Sequence, residues 1–346
     1  MILTYQFRIK DSACRKRLSR MASAVNFVWN YCNEASYEQL KKYGKWLSYY
    51  DLAKLTEGVG KELNINSQII QKICKEYSVK RYQFKKAKLN WRSFKRSLGW
   101  IPCTNQNIKL EDDTFKLSGK KYKFWKSRDI DGEVKSVSIN QNSQGKWFIN
   151  IQCEIETKPL TNNILEIGVD LGLKAQATLS DGRKYERKNL TKQYEVKLAK
   201  AQKYHKKRLV TSIHSKIQNK RKDFNHKLAN AILADAKLVI IGDVSSSKLI
   251  KTNLAKSVLD AGWSQLRAIL EYKANQLGIA LKSVNESWTT RTCSVCSVRS
   301  GTKGLSGLSV REWRCPCGAK HDRDVNAAIN ILRIGHDTLT KGIPSL

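Results

Sequence analysis

Four cysteines in the last sixth of this 346-residue chain constrain its fold more than any other feature. They form two close pairs, and the four residues are Cys293, Cys296, Cys315 and Cys317. Each pair can bind a metal from one tight turn, and four thiolates complete the tetrahedral shell that Zn²⁺ prefers. The second pair has the spacing C-x-C, which is tighter than the usual C-x-x-C. We predict one structural zinc ion without an open catalytic position, and the alternative is four reduced thiols without metal.

The charge balance of the chain indicates its class of partner. The formal net charge is +34, from 64 Lys and Arg against 30 Asp and Glu, while hydrophobic residues make up 41% of the chain. Such a basic chain is expected to bind nucleic acid, and its apolar content is sufficient for buried cores. The apolar runs are too short to span a membrane, and the N-terminus lacks a signal-peptide pattern. We therefore expect a cytoplasmic, nucleoid-associated bacterial protein with no membrane partner.

The hydrophobic period of the N-terminal half changes twice. Alternation between Leu3 and Ile9 predicts a half-buried strand, and a basic helical segment follows over residues 11–99. Between Tyr77 and Arg96, aromatic rings interleave with Lys and Arg, which is typical of a nucleic-acid groove because cations neutralise phosphate and exposed rings stack on bases. Two hairpins follow over residues 101–155. Together with the first strand they predict an antiparallel β-barrel that contains a helical insertion.

The C-terminal half opens with ILEIGVDLGLKAQATLSDGRKY, an apolar strand followed by a tight turn and a second strand. Asp170 stands within the first strand, between Gly168 and Gly172. A carboxylate inside a strand is costly unless it binds a partner, and a metal ion is the usual one. A cationic helix between Lys197 and Lys222 is predicted to lie along a nucleic-acid backbone. This strand-and-hairpin opening predicts an RNase H-like α/β domain.

Four segments carry a family resemblance, namely IGVDLG, KTNLAKSVLDAGWSQLRAILEYKA, TTRTCSVC and HDRDVNAAINIL. They resemble the TnpB family of transposon-encoded, RNA-guided nucleases, which is related to the single-effector type V CRISPR nucleases. The resemblance implies an α+β multidomain chain. A β-barrel wedge domain with a helical recognition insertion comes first, and a RuvC nuclease domain of RNase H-like α/β fold follows. The nuclease domain carries the zinc knuckle as an insertion. The implied boundaries are 1–10 and 100–160 for the wedge, 11–99 for the recognition domain, 161–286 and 319–333 for the nuclease, 287–318 for the knuckle and 334–346 for a flexible tail.

The resemblance also implies a catalytic set of Asp, Glu and Asp that holds two Mg²⁺ ions. The first aspartate corresponds to Asp170, and the last corresponds to Asp324 in HDRDVNAAINIL. Asp322 is the local alternative, and Asp324 is preferred because it stands at the start of the predicted helix. The glycine-rich loop from Gly301 to Gly307 is a candidate for a mobile element that controls access to the site.

The middle acid is where this chain departs from the family pattern. The family reads Glu-Asp-Leu at the end of the relevant strand, whereas this chain reads Gly242-Asp243-Val244. Two carboxylates alone would bind a metal pair poorly, because each Mg²⁺ requires near-octahedral oxygen ligation. Glu286 is the preferred replacement, because it follows a later strand that should lie beside Gly242, where the missing side chain leaves room. Asp243 is the second candidate, and the third possibility is an inactive site.

The implied function is that of an RNA-guided DNA endonuclease encoded by a transposon, which cuts double-stranded target DNA next to a short motif by two-metal phosphodiester hydrolysis. A guide RNA from the same element would be its partner, and a monomer is favoured. The main alternative is a nuclease-dead, RNA-guided regulator of transcription, because Gly242 replaces the usual glutamate. A zinc-dependent transcription factor and a direct transposase are weaker alternatives, because basic residues extend over the whole chain and no strand-transfer domain accompanies the nuclease motifs.

Overall fold

A computed structural model describes residues 1–104, 108–157, 164–244, 251, 255–302 and 310–340. The chain divides into two compact units, Met1–Glu156 and Thr157–Leu346. The described helices contain no segment long and apolar enough to cross a membrane.

The strands of the first unit are β1 (Ile2–Arg8), β2 (Trp100–Cys103), β3 (Ile108–Glu111), β4 (Thr114–Leu117), β5 (Lys120–Lys123), β6 (Glu133–Gln141) and β7 (Trp147–Glu154). One antiparallel sheet has the order β1-β7-β6-β2, so the first strand joins the later hairpin, and a second sheet has the order β3-β4-β5. A bridge between Ile9 and Phe124 links the two sheets. The predicted closed barrel is not found among the described strands, because both sheets keep free edges.

The helices of the first unit are α1 (Arg15–Tyr43), α2 (Tyr49–Leu55), α3 (Val59–Leu63) and α4 (Ser67–Phe84). They lie between β1 and β2 in the sequence and share one hydrophobic core with the first sheet. Apolar residues recur every three or four positions along α1 and α4, so one face of each helix is buried. Part of the aromatic series predicted for nucleic-acid contact is exposed, namely Tyr82, Phe84, Trp91 and Phe94.

The strands of the second unit's main sheet are β8 (Leu165–Asp170), β9 (Ala175–Leu179), β10 (Lys184–Glu186), β11 (Ala236–Gly242) and β12 (Ala280–Val284). Their order is β10-β9-β8-β11-β12, in which β8, β11 and β12 are parallel and β9 runs antiparallel to β8. Val169 pairs with Ile241, and Gly242 pairs with Val284. The carboxyl ends of the three parallel strands therefore meet at one edge of the sheet.

The helices of the second unit are α5 (Leu190–Gln193), α6 (Glu195–Lys203), α7 (Lys207–Leu233), α8 (Ala255–Ala261), α9 (Trp263–Leu277) and α10 (Arg323–Thr340). Residues of α7 and α9 share a core with β8 and β11, and Ile331 of α10 belongs to a second cluster with Ile240. Gly168 allows α10 to approach closely, because a Cβ there would lie 2.0 Å from the carbonyl oxygen of Ala328. This close contact brings the start of α10 to the edge where the parallel strands end.

The C-terminal tail and the glycine-rich loop are the two segments that the sequence predicts to be flexible or mobile. The flexible tail predicted for residues 334–346 overlaps α10, whose described part reaches Thr340 and whose apolar face continues through Ile334. Residues 341–346 lie outside the described part of the chain. Residues 303–307 of the glycine-rich loop predicted to be mobile also lie outside it.

Candidate active site and metal centre

Asp170 is the last residue of β8, and its side chain is partly buried. Burial, together with the negative charges of Glu286 and Asp324, raises the pKa of this carboxyl to about 7, while the positive charge of Arg323 opposes the rise. Like charges shift a pKa in this way only when they lie near one another. The fold therefore brings the three predicted acids into electrostatic contact, although they come from widely separated parts of the sequence.

Glu286 follows the end of β12 by two residues and occupies the space beside Gly242. A Cβ at Gly242 would lie 2.5 Å from Oε2 of Glu286, so a larger residue at 242 would collide with this carboxylate. Burial, together with the negative charge of Asp243, raises the pKa of Glu286 to about 7, while the positive charge of Arg267 opposes the rise. Oε2 is buried and has no hydrogen-bond partner among the described residues. An unpartnered buried carboxylate oxygen is costly, and it is free to bind a cation.

Asp243, the adjacent candidate, is engaged elsewhere. Its Oδ1 accepts a hydrogen bond of 2.9 Å from Nη1 of Arg267, and its side chain is 59% exposed. Nη2 of the same guanidinium donates to the carbonyl oxygen of Gly242 at 3.1 Å. Asp243 thus forms a surface ion pair with Arg267 of α9. Its carboxylate is exposed and paired, whereas Oε2 of Glu286 is buried and unpaired among the described residues.

The two aspartates at the start of α10 have different environments. Oδ1 of Asp322 accepts the backbone N–H groups of Asp324 and Val325 at 3.1 and 3.0 Å, so Asp322 is the N-cap of the helix. Its Oδ2 also pairs with Lys184. Asp324 lies in the first turn, and its carboxylate is 3.3 Å from Nη1 of Arg311 at the closest oxygen. Asp322 therefore has a structural role, while Asp324 faces the acid cluster.

The spacing of the acids bears on which ions they could hold. Among the described residues, the four cysteines are the one group of three or more potential metal ligands whose ligand atoms all lie within 4.8 Å of one another. The oxygens of the three carboxylates are therefore not all within 4.8 Å of one another. Two-metal sites hold their ions about 3.5–4 Å apart, and their ligands need not all reach one ion. Hard oxygen ligands and the unpartnered Oε2 of Glu286 fit Mg²⁺.

The four cysteine Sγ atoms fit a tetrahedral ion. The Sγ atoms of Cys293 and Cys317 are 3.8 Å apart, and those of Cys296 and Cys315 are 3.5 Å apart. Zn–S bonds of about 2.3 Å require S···S distances of about 3.8 Å in a tetrahedron. The short antiparallel strands β13 (Glu312–Arg314) and β14 (Lys320–Asp322) support the second pair. The group could therefore hold zinc, and β14 leads directly into α10.

His321 and Ser300 surround the cysteine group, and sequence reasoning missed both. Nε2 of His321 lies 3.0 Å from Sγ of Cys293, and the imidazole packs against Trp313 with 4.6 Å between ring centroids. Oγ of Ser300 donates to Sγ of Cys315 at 3.1 Å and is the largest cause of the lowering of that thiol's pKa to about 6. Such outer contacts stabilise thiolates and orient metal ligands.

Two asparagines of α10 connect the helix to the turn that carries Glu286, a contact for which the local sequence has no signal. The buried Nδ2 groups of Asn326 and Asn330 both donate to the carbonyl oxygens of Thr289 and Thr292, at distances between 2.7 and 3.1 Å. The N–H and Oγ1 of Thr289 in turn donate to the carbonyl oxygen of Glu286 at 3.2 and 2.8 Å. We call these four asparagine bonds the asparagine clamp. It fixes Glu286 relative to the helix that bears Asp324.

The raised pKa values of Asp170 and Glu286 predict how Mg²⁺ affects stability. In the metal-free fold both carboxyls keep a proton up to about pH 7, whereas the unfolded chain releases it near pH 4, so their contribution to stability falls across this interval. Mg²⁺ held by these carboxylates would take the place of the protons. We expect millimolar Mg²⁺ to raise the Tm of the RNA-free chain more at about pH 8 than at about pH 6. The double variant Asp170→Asn/Glu286→Gln should lose this difference, and equal shifts of the wild-type Tm at both pH values would contradict it.

Two protein-family models match the chain. The family described as "Cas12f1-like, TNB domain" matches residues 263–331, which include α9, Glu286, the cysteine group and the start of α10. The family OrfB_IS605, described as "Probable transposase", matches residues 150–253, which include Asp170 and Gly242.

Two curated relatives carry the name "Putative RNA-guided DNA endonuclease". One, from Streptomyces pristinaespiralis, is 34% identical over 217 residues, and the match covers 59% of this chain and about half (53%) of the relative. The other, InsQ of Escherichia coli (strain K12), is 27% identical over 98% of this chain and 93% of its own length.

Two solved structures are also similar. A cryo-EM structure titled as a Cas12f1–sgRNA–target DNA complex matches with a TM-score of 0.40 and 14% identity, covering 96% of this chain and 98% of that chain. A CRISPR–Cas12f ternary complex matches with a TM-score of 0.38 and 14% identity, covering 91% and 80%. The family models and the curated relatives confirm the resemblance of this chain to the TnpB family that the sequence motifs predict.

Proposed function

We propose that this protein is an RNA-guided DNA endonuclease whose middle catalytic acid is Glu286. The single observation that carries the proposal is the unpartnered, buried Oε2 of Glu286 in the space beside Gly242. An inactive site would have no need for a buried acid there, because leaving a carboxylate desolvated without a partner destabilises the fold. The names of the two curated relatives support the same activity.

The strand order β10-β9-β8-β11-β12, with β9 antiparallel, supports an RNase H-like nuclease domain. We propose that it occupies residues 161–286 and 319–333, with a zinc knuckle at 287–318. In the first unit we propose a wedge domain formed by residues 1–10 and 100–160, and a recognition domain at 11–99. Because the described strands of the wedge form two open sheets, this domain would be an open one.

In the proposed mechanism, Asp170, Glu286 and Asp324 hold Mg²⁺ at the edge of the sheet. The bound ions would supply an activated water and stabilisation of the leaving oxygen during phosphodiester hydrolysis. The protein's own contribution is to keep three mutually repelling carboxylates in place. The asparagine clamp fixes the Glu286 turn, and the N-cap from Asp322 fixes the start of the helix that bears Asp324. Arg311 orients the Asp324 carboxylate from one side.

Guide RNA and double-stranded target DNA are the proposed partners, and we propose that the protein acts as a monomer. The net charge of +34 supports binding to both polyanions. In the first unit, exposed rings lie close to cations, as where Lys88 lies 5.9 Å from the ring centroid of Trp91. In the second unit, Lys216 and Lys220 approach the ring of Tyr194 on the basic face of α7. Base pairing with the guide would provide the sequence specificity.

A plasmid assay tests the proposed activity. The full chain is assembled with the RNA transcribed from its own element and is given plasmids with a randomised sequence next to the target, in the presence of Mg²⁺. We expect guide-dependent linear or nicked product, and Asp170→Asn should remove it while retaining binding to the target. Guide-dependent binding without any product from the wild type would instead support the nuclease-dead regulator.

A further inference from the structure

Trp288 has an unusual backbone and an unusual exposure. Its φ angle is 72°, in the left-handed region that residues other than glycine rarely adopt, and its indole is 50% exposed. The turn is held in place by hydrogen bonds, because the carbonyl oxygen of Trp288 accepts the N–H groups of Arg291 and Thr292 at 2.9 and 3.0 Å and Oγ1 of Thr292 at 3.0 Å. Strained backbone of this kind is often found at functional sites.

Two arginines flank the indole. The guanidinium carbons of Arg291 and Arg299 each lie 5.0 Å from the centroid of the Trp288 ring. Neither arginine forms an ion pair with an acid of the described residues, and Nε of Arg291 has no hydrogen-bond partner there. The turn therefore presents a half-exposed aromatic ring close to two cations that have no acidic partner among the described residues.

We propose that Trp288, Arg291 and Arg299 form a stacking site for one base of single-stranded DNA, with the two guanidiniums on the flanking phosphates. The inference rests on the proposed function, because Trp288 is two residues from Glu286 and a strand bound here would continue into the acid cluster. The ligand is single-stranded because a base inside a duplex is already stacked on its neighbours. Stacking accepts any base, which suits an enzyme whose specificity lies in its guide.

The rigidity of the turn fixes the position of the Trp288 ring relative to Glu286. The clamp asparagines bind the carbonyl oxygens of Thr289 and Thr292, which lie on either side of the first flanking arginine in the sequence. The ring and the Glu286 carboxylate therefore belong to one fixed segment. A base stacked on Trp288 would set which phosphate of the strand reaches the carboxylates. A guanidinium that lies on the ring in the free protein would move to the phosphate when the base binds.

The test uses the full chain with Asp170→Asn, so that the probe is not cut, and a fluorescent thymidine oligonucleotide of about ten nucleotides. In this background, Trp288→Ala should weaken binding roughly tenfold without changing the slope of log K against log salt, because stacking releases no counterions. Arg299→Ala should reduce that slope by about 0.7, the value for one phosphate contact on a single strand. Trp288→Phe should retain most of the affinity, and Val295→Ala, an exposed residue of the same knuckle, is the matched control.

Photocrosslinking provides a second readout that requires no substitution in the stacking site itself. An oligonucleotide with a single iodouracil should crosslink to Trp288 of the Asp170→Asn chain, as mapped by mass spectrometry. Crosslinks confined to other residues, or equal affinities of the Trp288→Ala chain and its parent at high salt, would overturn the stacking site. Both readouts are independent of cleavage. An inactive nuclease that crosslinks at Trp288 would refute the proposed function alone, and an active nuclease with unchanged binding would refute this inference alone.

Discussion

Glu286→Gln is expected to reduce guide-dependent DNA cleavage by roughly a thousandfold or more. A metal ligand of a two-ion site supports several kcal/mol of transition-state stabilisation, and each 1.36 kcal/mol corresponds to about a factor of ten in rate. The substitution keeps the size of the side chain and removes its charge. Folding should therefore survive, and stability should rise slightly because a repelling carboxylate beside Asp170 is lost. Single-turnover cleavage and binding to the target, measured on the same preparations, separate lost chemistry from lost recognition.

Asp243→Asn is the matched control for this substitution. Asp243 stands next to Gly242, and its removal breaks only an ion pair with Arg267 whose acidic side chain is 59% exposed. Such surface pairs contribute about 0–1 kcal/mol to stability. We expect cleavage within a few-fold of the wild type. A large loss with Asp243→Asn and a small loss with Glu286→Gln would assign the middle acid to position 243 instead.

A glutamate placed at position 242 on β11, in exchange for Glu286, provides a stricter test of the middle acid. Gly242→Glu alone should fold poorly or cut slowly, because its Cβ would lie 2.5 Å from Oε2 of Glu286 and 3.0 Å from Cδ1 of Ile331. Gly242→Glu combined with Glu286→Ala removes the first of these clashes and places a carboxylate in the same space from the neighbouring strand. We expect the double variant to cut DNA faster than either single variant. A double variant as inactive as Glu286→Ala alone would show that position 286 contributes more than its charge.

The sequence predicts those parts of the site that depend on local pattern. Asp170 is recognisable because an acid inside an apolar strand is costly, and the cysteine pairs are recognisable from their spacing. The position of Glu286 next to Gly242 follows from the pairing of β11 with β12, which the order of strands already indicates. The roles that Glu286 and Asp324 would have in catalysis remain predictions.

Other features depend on contacts that no local pattern records. Arg267 reaches Asp243 from α9, and Lys184 reaches Asp322 across more than a hundred residues of sequence, so neither pair has a signal in spacing. The open sheets of the first unit arise because closure depends on edge-to-edge pairing and not on the alternation within each strand. The continuation of α10 past Arg333 has little signal in the sequence, because most residues there are polar, while Ile334 packs against the buried cluster that includes Ile240 through a tertiary contact.

Removal of zinc is expected to affect the nuclease site through the Glu286 turn. Structural zinc contributes about 10–16 kcal/mol in small zinc-binding domains, and the local core around Cys293 and Trp313 is small, so we expect Cys293→Ser to unfold the knuckle. The asparagine clamp has four hydrogen bonds, each contributing about 0.5–1.5 kcal/mol, or about 2–6 kcal/mol together. Ordering the residues of the turn costs about 1–2 kcal/mol each, so the clamp alone should hold the turn only part of the time.

The hydrogen bonds of the clamp and the entropy cost of ordering the turn oppose each other. Their balance predicts that loss of zinc and loss of clamp bonds have non-additive effects on cleavage. Cys293→Ser should lower cleavage about 10–100-fold, since the clamp keeps part of the population competent, and Asn330→Ala should lower it only a few-fold while zinc holds the other end of the turn. Together they should lower cleavage by more than the product of the two, because the zinc support and two of the four clamp hydrogen bonds are then lost at the same time. Zinc content, Tm and single-turnover cleavage of the four proteins in this cycle measure the coupling. If the two losses in cleavage simply multiply, the knuckle does not act through the Glu286 turn. Zinc would then affect cleavage by another route.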